Sequence, residues 1–108
     1  MSFEFNEVIA QMLAAVKGTV AGDWQELKAT AHDFFERKKD RLELLAQLRL
    51  EGELTDAQWK LRLKHEKLST EAEFHALAVI SKAAAQRAAQ AAFGVLEKAV
   101  KAALGALL

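Results

Sequence analysis

The sequence predicts an all-α protein: a long antiparallel helical hairpin, of two or three helices per chain, that associates into a helical bundle. Three observations carry this. Proline is absent from the 108 residues, and the five glycines leave long stretches rich in Ala, Leu, Glu, Lys, Gln and Arg, the strong helix formers. β-Branched residues nowhere alternate with polar ones over the length of a strand. Apolar residues recur instead at steps of three and four along most of the chain.

The first periodic segment sets Phe5, Ile9, Met12, Leu13, Val16 and Val20 on one face, with Ser2 in place to cap it. Asp23 and Glu26, just beyond Gly18 and Gly22, form an acidic variant of a capping box and offer the start of a second helix. The stripe nevertheless continues through Trp24, Leu27, Ala31, Phe34 and Phe35 to Leu42, Leu45 and Leu48, so one long, bent helix fits equally well.

Residues 51–55 are the clearest punctuation in the chain. Gly52 suits the position just past a helix end, Thr55 and Gln58 make a capping box, and Leu54 and Trp59 stand where a hydrophobic staple requires them. From Asp56 the helical pattern runs almost unbroken to the C-terminus, with Thr70 and Glu73 as one site for a kink or restart. Leu77, Ile80, Ala84, Ala88, Ala91, Val95 and Ala99 read as its main stripe.

Since the turn lies near the midpoint, the simplest construction is one αα-hairpin domain over residues 1–108. Gly18 and Gly22 then lie across from the alanine-rich residues 83–92, small against small, and the charged residues 33–49 lie alongside 56–73. Each arm is roughly 70 Å long at ~1.5 Å per residue, and two such helices alone leave wide apolar faces uncovered. Either the first arm folds back at Gly18 to Gly22 to give a three-helix monomer, or two hairpins form a four-helix bundle. The continuous stripe favours the homodimer.

Composition excludes several functions. With no cysteine there is neither a disulfide framework nor a thiolate metal site. Fifteen basic and fifteen acidic residues leave no net field for non-specific nucleic-acid binding, so nucleic acid is an unlikely partner. The chain opens with acids and has no Lys or Arg before Lys17, unlike a secretory leader, which makes the cytoplasm the default expectation. No GxSxG motif, cysteine nucleophile or Gly-rich phosphate loop occurs, so no catalytic residue and no cofactor is expected, and the chain is read as non-enzymatic.

Three constellations remain. His32 and Glu36 on the first arm mirror Glu71 and His75 on the second, so the hairpin brings two imidazoles and two carboxylates to one level, a ligand set suited to zinc, iron or manganese. Their helical phase points them away from the apolar stripes, which favours solvated side chains over a metal site. Arg37, Lys38, Lys39 and Arg41 lie beside Lys60, Arg62, Lys64 and Lys67, eight bases against Asp40, Glu43 and Glu66, a zone able to meet phosphates or an acidic protein. Residues 91–108 form an amphipathic stretch that either lies on a membrane surface or packs on Phe3, Phe5, Ile9 and Met12; the matching apolar partner favours packing. The expectation is a self-assembly or adaptor protein acting through protein contacts, with a homodimer and an unidentified protein partner. A metal-binding bundle and a peripheral membrane protein are the alternatives.

Overall fold

Helix α1 (Phe5–Thr19) is followed by a single 3-10 turn (Ala21–Asp23) and by α2 (Trp24–Leu50), α3 (Asp56–Leu77) and α4 (Lys82–Leu107). This is a computed structural model, and it describes residues 4–107, Leu107 by its backbone alone. Ser2, read above as a cap, and Phe3 and Leu108, read into the apolar end, lie outside the described residues. Among the described residues there is no strand, and the chain is an all-α helical bundle.

The turn at residues 51–55 forms as its sequence dictates. Gly52 takes φ +81°, Glu53 N–H and Leu54 N–H return to the Leu48 carbonyl, and the Thr55 hydroxyl accepts from Gln58 N–H while the Gln58 side chain accepts from Thr55 N–H. Across this turn α2 and α3 pair in the register expected of the hairpin. Arg37 meets Glu73, Arg41 meets Glu66, and Arg49 lies 3.9 Å from Asp56. Phe74 stands edge-on to Phe34 and Phe35, ring centroids 5.5 and 6.2 Å away.

The helix count departs from the expectation of two or three: the described residues form four α-helices. Each arm of the long hairpin breaks near its middle, and the outer halves fold back on the inner ones. The molecule therefore measures 42 × 23 × 20 Å, its long axis close to the ~40 Å of a 27-residue helix. α1 packs on α2 and most extensively on α4, which also packs on α3. The core runs through all four helices and fully buries Met12, Leu27, Phe34, Phe35, Leu42, Phe74, Phe93 and Leu96. The uncovered stripe that called for a second copy is thus covered within the chain.

The first break lies where the sequence offered a start, but its chemistry differs. Asp23 precedes α2 without a side-chain capping bond, so the acidic capping box is not made. Gly18 stays inside α1, and Gly18 and Gly22 are both exposed, with no atom beyond their own local backbone within 4 Å of where a Cβ would stand. The small-against-small approach to residues 83–92 is absent at these glycines. The buried alanines of that stretch (Ala84, Ala85, Ala88, Ala89 and Ala92) instead lie on the core face of α4.

The second break falls at residues 78–81, which the periodicity ran through. Ala78 is extended (φ −107°, ψ 150°), Ile80 N–H bonds to the Ala78 carbonyl, and the Ser81 hydroxyl accepts from Ala84 N–H at 3.0 Å, capping α4. Thr70, the proposed restart, sits inside an unbroken α3, its hydroxyl donating to the Glu66 carbonyl at 2.7 Å. Of the expected stripe, Leu77 is exposed, Ile80, Ala84 and Ala88 are buried, and beyond Ala88 the buried line runs one position on from the expected residues, along Ala92, Leu96 and Val100.

Candidate functional site

α3 carries the arrangement that sets this molecule apart from a plain bundle. Its core stripe is Trp59, Leu63, Glu66, Thr70 and Phe74, so two of five inward positions are polar. Glu66 is only 6% exposed, and its carboxylate accepts from Arg41 Nε at 2.5 Å. Because the stripe is spent on these residues, two leucines of α3 fall on the opposite face: Leu61 is 54% exposed and Leu68 49%. They lie one heptad apart, about 10 Å along the helix, with His65 and Ala72 between and beyond them, both exposed.

The basic zone read from the sequence is divided by the fold. On α2, Arg37 donates to Asp33 at 2.9 Å and to Glu73, and lies over the Phe34 ring at 5.9 Å. The hydrogen bonds to Asp33 and then Glu73 raise its guanidinium pKa further above its ordinary value. Arg37 and Arg41 are therefore occupied in holding α2 to α3. On α3, Lys60 pairs with Asp56 at 3.0 Å, whereas Arg62, Lys64 and Lys67 have no carboxylate within 4.0 Å among the described residues.

Lys60, Lys64 and Lys67 form the α3 side of an open cleft of about 310 Å³ against α4. Leu63 and Leu68 supply its apolar lining, Gln86 and Gln90 face the lysines from α4, and Glu71 and Glu97 also border it. A second cleft, of about 550 Å³, continues past Lys60 and Glu97 towards the α2–α3 turn, between Trp59 and Leu104, with Lys98 and Lys101 on its α4 side. Arg49 borders this cleft, with Nη1 3.4 Å from the Leu54 carbonyl and Nε buried without a partner among the described residues.

The proposed metal ligands are not gathered. Among the described residues no three His, Asp or Glu side chains converge as a metal-holding group. His32 is exposed beside Trp24, ring centroids 6.2 Å apart, and Glu36 is exposed one turn on. His75 lies with Nδ1 3.3 Å from the Ile80 carbonyl, a contact in which Nδ1–H donates, and so it clasps the break between α3 and α4. Glu71 borders the α3–α4 cleft instead. The C-terminal amphipathic stretch turns Phe93, Leu96 and Val100 into the core, and among the described residues no helix is long and apolar enough to cross a membrane.

The exposed leucines of α3 escaped the sequence reading, although a signal existed. Trp59 and Phe74 fix the core face of α3, and steps of three and four between them land on Glu66 and Thr70, leaving Leu61 and Leu68 outside. No family model, curated protein or solved structure matches the chain.

Proposed function

We propose that this chain is a non-enzymatic binding module, an adaptor that holds a partner protein on the outer face of α3. One observation carries the reading: two large apolar side chains, one heptad apart on the same helix, stand half in water on the face opposite the core. Scattered single leucines need no explanation, but a pair in heptad register beside a cleft is the pattern by which helices recognise one another. Leu44 on α2 (55% exposed), Leu77 at the end of α3 (64%) and Val79 at the α3–α4 turn (87%) stand apart from that register.

The test is position-specific crosslinking in cells of the source organism. A photoreactive residue is placed at Leu61 or at Leu68 of the full chain, and in a control at exposed Gln11 on α1, the helix diagonal to α3. The expected result is a discrete adduct from positions 61 and 68 that position 11 does not give. Identical adduct patterns at all three positions, or none, would overturn the reading.

A further inference from the structure

The outer face of α3 is apolar and positive at once. Residues 60–69 contain four cations, Lys60, Arg62, Lys64 and Lys67, and one carboxylate, Glu66, which is turned inward and neutralised by Arg41. The water-facing side of this segment therefore carries Arg62, Lys64 and Lys67 without a paired carboxylate among the described residues, while Lys60 is matched by Asp56, and Glu71 and Glu97 stand on the cleft rim. In a chain whose charges cancel overall, this is a local concentration of one sign, framing Leu61 and Leu68.

We infer that this face takes an acidic amphipathic helix of a partner protein, with apolar residues on Leu61 and Leu68 and carboxylates towards Lys64 and Lys67. The inference rests on the binding-module reading and specifies the partner's chemistry. Heptad spacing of the two leucines matches the rise of a second helix laid alongside. These two lysines, one turn apart on the cleft side, give carboxylates a pair of charges to meet, and desolvated opposite charges across an interface set both register and association rate.

Other occupants fit less well. A second copy docking through the same face brings Arg62, Lys64 and Lys67 of both copies together, and like charges repel across an interface. A membrane surface finds two half-exposed leucines and no exposed aromatic ring there, little apolar area to insert. Single-stranded nucleic acid finds no stacking platform, because Trp59 is buried.

The experiment pans a displayed library of random peptides, each about four helical turns long, on the full chain. Lys64→Glu/Lys67→Glu and the milder Lys64→Gln/Lys67→Gln serve as counter-targets, and circular dichroism verifies that each variant keeps its helix content. The expected result is enrichment of peptides with excess Asp and Glu and apolar residues at heptad spacing. Their affinity falls about tenfold or more on the Glu variant, less on the Gln variant, and weakens with added salt. Enriched peptides that are neutral or basic, or that bind the Glu variant equally, overturn the inference and leave the binding-module reading standing. No enrichment counts against both. Co-sedimentation with phosphatidylserine vesicles that the Glu variant abolishes, without acidic peptides, assigns the face to lipid and overturns the inference.

Discussion

Arg41 donates through Nε to the Glu66 carboxylate at 2.5 Å, from the open surface of α2 to a nearly buried position on the core stripe of α3. Trp59, Leu63 and Phe74 set the roll of α3, and this contact satisfies the carboxylate that the roll turns inward. With Glu66 held inward, Lys64 and Lys67 turn to the cleft and Leu61 and Leu68 to water.

Removing the cation alone strands a carboxylate in the bundle. Arg41→Ala is expected to lower stability by about 1 to 3 kcal/mol, and Arg41→Ala combined with Glu66→Leu to recover most of that loss, since the buried charge is then gone. Urea denaturation followed by circular dichroism measures both. Equal losses in the single and the double variant would refute a stranded charge as the cause.

Two glycines are expected to respond with opposite signs. Gly52 holds φ +81° with open space around it, so Gly52→Ala meets no clash and costs only the left-handed backbone penalty, about 1 kcal/mol. Gly18 lies inside α1 at ordinary φ, and Gly18→Ala is expected to stabilise by roughly 0.5 to 1 kcal/mol. Paired thermal melts test the signs.

The two helix starts after the central turn and after the second break depend on hydroxyl caps. Thr55→Ala and Ser81→Ala should each cost about 0.5 to 2 kcal/mol. Hydrogen exchange separates them: Thr55→Ala should speed exchange at the start of α3, Ser81→Ala at the start of α4. Faster exchange at both starts in either variant would mean the caps act only through global stability.

Ala88 is fully buried on the core face of α4, the helix against which α1 packs most extensively. Ala88→Leu is expected to overpack it and destabilise by about 1 to 3 kcal/mol. A neutral result in the denaturation curve would show that the core opens there at little cost.

With its stripe covered from within, the 11.9 kDa chain is expected to sediment as a monomer at micromolar concentration in moderate salt. A dimer that persists in Lys64→Glu/Lys67→Glu would place self-association on some face other than α3.

Local chemistry made the helices and the central turn legible. The run without proline, the apolar steps of three and four, and the sequence of residues 51–55 each act within a few residues of where they stand. The first break was legible as an alternative, through Asp23 and Glu26, although no capping bond formed there. The second was missed because Ala78, Val79 and Ile80 continue the apolar pattern, and only Ser81 marks a start. Of the site, the lysines were visible as a cluster. Their division into structural Arg37 and Arg41 and cleft-facing Lys64 and Lys67 was not, because the partners Glu73 and Glu66 lie on another helix.

By itself, then, the sequence determined that this chain is helical and where it reverses, for these follow from contacts short in sequence. The place of the reversal in turn set the register of α2 against α3. Tertiary structure alone decided that each arm breaks in its middle and folds back. An unbroken arm keeps every backbone bond but leaves its stripe in water. Breaking it orphans a few backbone groups near residues 20 and 80, and capping and the turns between satisfy several of them. In return the chain buries four faces against one another, a gain in apolar area that no residue's local pattern records.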